Sequence, residues 1–334
     1  MNHILFRDPA LQGWEYGMQR SFENAIRQIT AATVIDLPSY SLGKKYLHHF
    51  GHGMNKAVFR KYFPKQDFRV SGDVAWYILM APENYRLDLF TKWSAGCSKK
   101  VLYLYDTLPA QYPLIRKHFS DGTWDLLITS FEDAVGDLER ETGRKWHSIE
   151  QAADEKLFVP IPYNQRSIHF SSYGRRFPKV HEVLKDFCRT NNLYYDFTTH
   201  DGKHPVAEPA ELYRQYAWHM TQSIFTFSWP VELTNPARAG HLRPITCRWF
   251  EAAAAGTILI GKAPANNKFD LFFDKDLVHP IDPDSAPEEI KKTLQHLWER
   301  REVLFQKANI FAQQHRTRLV WKERVERIMA LIEK

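Results

Sequence analysis

Short apolar runs alternate with longer amphipathic stretches from one end of this 334-residue chain to the other. "HILF" (3–6), "TVIDLP" (33–38), "VAWYILMAP" (74–82), "KVLYLYD" (100–106) and "DLLITS" (125–130) read as strands. "FENAIRQI" (22–29) and "FEDAVGDLERETG" (131–143) read as helices, the second stopping at Gly143. Two prolines hold "KLFVPIPY" (156–163) extended, which makes it the natural junction. The series then restarts with "SIHF" (167–170) and continues through "LYYDFTT", "QSIFTFSWP", "TILIG" and "KDLVHPID", with helical stretches between them. The chain closes on the helices of 287–315 and 321–334. In the last, Trp321, Val325, Ile328, Met329 and Ile332 share one face at helical spacing.

Strands that alternate with helices build parallel, doubly wound sheets. Two such series predict two Rossmann-like α/β domains with a cleft between them. Ligands of such sheets sit at the C-terminal ends of the strands. The expected division is 1–160, 167–310 and a terminal helical piece, 311–334. The three cysteines, Cys97, Cys188 and Cys247, are far apart and form no CxxC pair, which argues for a reducing compartment. The longest nearly apolar run, 250–261, is far below the roughly 18–20 residues that span a bilayer. The chain is expected to be cytoplasmic, with peripheral contact to the inner face of a membrane open. Its net charge of +6 points to an anionic partner.

Anion-binding candidates follow. In "SIHFSSYGRR", Ser171, Ser172 and Gly174 come just after a strand and ahead of a helix, where backbone N–H groups are exposed. Arg175 and Arg176 add full charges. The bland alternative is an ordinary turn with solvated arginines. In "RPITCRWFEAAAAGTILIG", Pro244 suits a first helical turn and Gly256 a left-handed end. A helix over 245–255 puts Arg248 and Glu251 on one face, either as a surface ion pair or as ligand groups.

This segment resembles the donor-binding helix "R-x-F-E-A-x-A-x-G" of group 1 glycosyltransferases of the GT-B fold. "FAQQHRTRLVWKERVERIM" is similar to that family's closing helices, and "DLLITSFEDAVGDLERETG…KLFVPIPY" to the end of its first domain. The resemblance covers about 100–330. It implies a GT-B fold, C-terminal helices that cross back onto the first domain, and transfer of a sugar from a nucleotide-diphosphate sugar to a glycan, lipid-linked glycan or small-molecule hydroxyl. It further implies that Glu251 holds the donor ribose and that Arg248, Arg243, Gly174, Arg175, Arg176 and Thr246 approach the diphosphate. The family's second glutamate, seven residues earlier, is here Pro244, and the nearest earlier carboxylate is Glu232.

Preorganised arginines can stabilise a leaving diphosphate without metal, so no cofactor is expected beyond the nucleotide sugar as co-substrate. Candidate bases for the acceptor hydroxyl are Asp106, Asp8 and Glu15, against the alternative that each caps a turn. The DxD strings at 274–276 and 282–284 read as solvated turns, and the histidines of "HHFGHG" (48–53) and "HDGKH" (200–204) as loops. Trp14, Trp76 and Trp93 are candidates for stacking on an acceptor sugar, or are core. The acids in the basic terminal helices argue against nucleic acid. Two other readings stay open, a non-catalytic binder of a nucleotide or phospho-glycan and a nucleotide-sugar epimerase.

Overall fold

The computed structural model describes residues 1–8, 14–37, 69–83, 87–198 and 209–334. The side chains of residues 14, 15, 87–89, 209 and 275 also lie outside that set. The first domain runs β1 (His3–Arg7), α1 (Trp14–Thr30), β2 (Thr33–Asp36), β3 (Ser71–Leu79), α2 (Leu87–Trp93), β4 (Gly96–Leu104), α3 (Tyr112–Phe119), β5 (Leu126–Thr129), α4 (Val135–Thr142) and β6 (Trp146–Ser148). Its six strands are all parallel, in the order β2-β1-β3-β4-β5-β6.

The second domain runs β7 (Ile168–Ser172), α5 (Pro178–Thr190), β8 (Tyr195–Phe197), α6 (Pro209–Gln222), β9 (Ser223–Ser228), α7 (Val231–Thr234), α8 (Pro236–Ala239), α9 (Cys247–Ala254), β10 (Ile258–Gly261), α10 (Phe269–Phe272) and β11 (Val278–Pro280). Its five parallel strands are ordered β11-β10-β9-β7-β8. In both sheets the order reverses beside the first strand, so the crevices open between β1 and β3 and between β7 and β9. Helices on both faces bury the strands, which explains why β5 and β9 are buried along their whole length.

The chain ends in α11 (Pro287–Glu299), α12 (Arg301–Gln314), α13 (Arg316–Leu319) and α14 (Trp321–Ile332). The last of these lies on the first domain. Trp321 stacks on Phe22 of α1 at 4.3 Å, and its backbone N–H donates to Ala153 O. Arg324 is fully buried and donates to the carbonyl of Glu150.

Some expectations need correction. α1 begins at Trp14, so Glu15 belongs to its first turn and not to a loop. Helix α9 begins at Cys247, with Thr246 as its N-cap, so Pro244 precedes it instead of opening it. Ser171 and Ser172 are the last residues of β7, buried in the sheet. The Ser171 hydroxyl bonds that of Thr226 in β9 at 2.9 Å, so it faces the neighbouring strand. Trp76 and Trp93 are core residues and cannot stack on a sugar, and the side chain of Trp14 lies outside the described residues. Both histidine clusters, 48–53 and 200–204, also lie outside them.

Candidate active site

The crevice of the second domain is framed by the turn after β7. Ser172 ends the strand, Tyr173 turns inward, and Gly174 takes φ +83, a conformation that glycine adopts without strain. Its N–H donates to Thr198 Oγ1 at 3.0 Å. The glycine is also required by space, since a Cβ here would stand 2.5 Å from Arg248 Nη1. The first turn of α9 therefore lays its arginine directly against the bare backbone of this turn.

Arg175 follows and joins the same neighbourhood. Burial, and then the charge of Arg248, lower its guanidinium pKa to about 10, while Asp106 works the other way. Its Nε is buried without a hydrogen-bond partner among the described residues. Arg248 is 9% exposed. Burial opposes its charge, but Tyr216, Cys247 and Glu251 overcome that and raise its pKa. Two cations, one on the turn and one from the first turn of α9, are thus close enough to act on each other, an arrangement that favours a polyanion.

Across the crevice stands Asp106, just beyond β4 of the first domain. Arg238 of α8 reaches it at 3.0 Å and bridges the two domains. Burial raises the Asp106 pKa, with Arg238 and Arg175 opposing and Glu83 adding to the rise. Glu232, first turn of α7 and immediately beyond β9, completes the rim. Burial raises its pKa too, and its Oε2 is a buried acceptor without a hydrogen-bond partner among the described residues.

Glu251 departs most from expectation. It is 1% exposed, and its two oxygens accept the hydroxyls of Tyr213 and Tyr216 of α6 at 2.6 and 2.7 Å. A carboxylate has about four lone-pair directions, so further acceptance is chemically open. The site is nevertheless sealed from solvent, and the carboxylate faces α6 instead of an open ribose pocket. Burial raises its pKa against the two tyrosines and Arg248.

The other expected residues disperse. Arg243 gives Nη1 to the carbonyls of Gly240 and Leu242 and its backbone N–H to Asp133, so it anchors a loop, while its charge also reaches Glu232. Arg176 lies over the Phe197 ring at 5.2 Å, on the β8 side of the turn. The Thr246 hydroxyl makes no capping bond to its own helix. Asp8 is 3% exposed, and its carbonyl accepts from Arg20 of α1, so it is buried at the start of that helix. The side chain of Glu15 lies outside the described residues. Among the described residues no group of three or more His, Cys, Asp or Glu side chains could hold a metal.

Sequence reading missed Arg238, Tyr213 and Tyr216. Arg238 lies in what reads as a polar connector between β9 and the next helix. The tyrosines sit more than 30 residues before the carboxylate they bind, and nothing local marks that pairing.

Two doubly wound domains that face each other across a crevice, with a last helix returning to the first domain, define the GT-B class. A family model described as glycosyl transferase-like matches residues 144–330. The chain belongs to that glycosyl transferase-like family. Among solved structures, UDP-GlcNAc 2-epimerase from Neisseria meningitidis bound to UDP-GlcNAc is similar in fold, at TM-score 0.55 and 10% identity, with 100% of each chain covered. HepE of Anabaena in complex with UDP-glucose is similar at TM-score 0.54 and 11% identity, covering 100% of this chain and 99% of the other. The pneumococcal O-GlcNAc transferase GtfA, with UDP and GlcNAc, is matched at TM-score 0.47 and 13% identity over 78% of this chain, which spans 56% of that longer protein. No curated protein matches the sequence. No helix among the described residues is long and apolar enough to cross a membrane.

Proposed function

We propose that this protein is a glycosyltransferase that moves a sugar from a nucleoside-diphosphate sugar to a hydroxyl of a glycan, a lipid-linked glycan or a small molecule. The observation that carries the reading is that Arg248 lies against the bare backbone of Gly174, with Arg175 near enough to feel its charge and that of Asp106. Negative charge grows on the leaving diphosphate as the glycosidic bond breaks, and fixed cations stabilise that charge without reorganising. Family membership supports the reading, as do relatives of similar fold solved with UDP-sugars.

Asp106 is the candidate base for the acceptor hydroxyl. Its burial-raised pKa makes it a better proton acceptor than a solvated aspartate. Glu232, with a spare buried oxygen in the first turn of α7, is suited to hold a hydroxyl of the donor sugar. Arginines supply the positive charge in this scheme, so chelators should leave the rate unchanged. The basic surface, of sequence pI about 9.0, suits an acceptor at an anionic membrane face.

The test is a panel of UDP-, GDP-, ADP- and CMP-sugars, read first by ligand-induced rise in melting temperature and then by release of free nucleotide with acceptor mixtures. Release of nucleoside diphosphate that falls at least about 100-fold in Arg175→Ala is expected, as for loss of one preorganised donor to a developing anion. Binding without release, or an epimerised donor with no nucleotide set free, would replace transfer by one of the other readings.

A further inference from the structure

The connector between β9 and α9 crosses the crevice as a strap. Its backbone is fixed at both ends. The Asn235 side chain accepts from the Arg238 N–H and caps α8. Leu242 is fully buried within the apolar core of the first domain, although it belongs in sequence to the second. The Arg243 N–H bonds Asp133, and His241 meets Asp137 at 2.9 Å. Gly240, at φ +59, turns the chain against Pro109 of the first domain.

Between these anchors, Arg238 points back into the crevice with its side chain 49% exposed. It ends on Asp106, the carboxylate that would have to accept the acceptor's proton. The charged groups around Asp106 are Arg238 from the strap, Arg175 from the turn after β7, and Glu83 from beyond β3. An arginine at 3.0 Å opposes the rise that burial gives, so Asp106 is a weaker base with Arg238 on it than without.

We infer that Arg238 is a diphosphate-binding residue that exchanges between Asp106 and the donor's phosphates, and that the phosphates draw it off and so release the base. The inference rests on the glycosyltransferase reading above. The strap's backbone need not move. A change of side-chain rotamer is enough to carry the guanidinium from one anion to the other, because α8 and Leu242 stay anchored. Arg238 then joins Arg175 and Arg248 on the leaving group, and the exchange ties deprotonation of the acceptor to the presence of donor.

Isothermal titration with UDP, GDP and ADP, each beside its nucleoside, tests this. Arg238→Ala should weaken the diphosphate that wild type binds by roughly 10- to 100-fold, as for loss of one charge-assisted hydrogen bond, and leave the nucleoside unchanged. Asp106→Asn should tighten the same diphosphate, because the competing carboxylate is gone. That gain should vanish when both changes are combined. Unchanged diphosphate affinity in Arg238→Ala overturns the inference, and so does a gain on Asp106→Asn that persists without Arg238. Equal loss of diphosphate and nucleoside also overturns it, since it would mark collapse of the strap. Each of these leaves the glycosyltransferase reading standing. A wild-type protein that binds none of the diphosphates overturns both.

Discussion

At the scale of single residues, Glu251 separates what sequence can say from what it cannot. "FEAAAAG" identifies a helix of small residues that ends in a left-handed glycine, and Gly256 has φ +66. It does not say what the helix lies against. The partners are hydroxyls of α6, brought in by tertiary packing. Replacing Glu251 by Ala strands two buried hydroxyls and opens a cavity, so a loss of about 2–4 kcal/mol in denaturant unfolding is expected. A variant that lost nucleotide affinity with no change in stability would instead mark Glu251 as a ligand residue with a spectator's part in the fold. Glu251→Gln isolates the charge. The folded carboxyl has a raised pKa, so it holds its proton more tightly than in the unfolded chain. Its contribution to stability is fully present below the ordinary value of 4.5 and is lost as pH rises through the folded value. The melting temperature of Glu251→Gln relative to wild type should therefore climb as pH is raised from 4.5 upward. A flat difference across that range would show the carboxylate to be fully compensated by its two tyrosines.

At the scale of elements, strands were far more legible than connectors. β5, β9 and the C-terminal halves of β3 and β4 are apolar runs buried on both faces of parallel sheets, so composition alone finds them. Helix α3, to which the sequence reading assigned nothing, holds Pro113 in a permissive first turn. Strand β6 was missed because three residues carry no periodicity. The strap was invisible for a different reason. Leu242 stands alone in a polar loop, and only the fold shows that it fills the other domain's core. Leu242→Ala should cost about 2–5 kcal/mol, the usual range for a buried leucine, and should slow turnover by loosening the strap. The turn after β7 gives a complementary case. Gly174→Ala imposes left-handed backbone strain of about 1–2 kcal/mol and drives a methyl into the Arg248 guanidinium. Nucleotide affinity should therefore fall much further than the melting temperature, compared by titration and by thermal unfolding of the same preparation. A variant that loses stability but binds normally would remove Arg248 from the site.

At the scale of the whole molecule, the two domains are held in register by the returning helix and not by the crevice alone. Trp321 is 2% exposed. It stacks on Phe22 and meets Tyr103 and Tyr105 edge-on, so one side chain of the C-terminal helix closes the core of the first domain. Arg324 continues the same seam by donating to the carbonyl of Glu150 at the junction. Gln151 beside it accepts from the Cys247 N–H of α9 and donates to Ser130 beyond β5. The periodicity of this helix showed a buried face, and only the family resemblance pointed to the first domain, because a 3.6-residue period reports no more than that a face is buried. Trp321→Ala should cost about 3–5 kcal/mol, and the loss should appear first as uncoupling. Calorimetry would then resolve two transitions where wild type has one, with the first domain melting earlier. Donor affinity should hold near its wild-type value below the first transition, since Gly174, Arg175 and Arg248 all belong to the second domain. Turnover should fall, because Asp106 is carried by the domain that has come loose. A single transition at reduced temperature, with affinity and turnover lost together, would mean instead that the two sheets fold as one cooperative unit whatever the helix does.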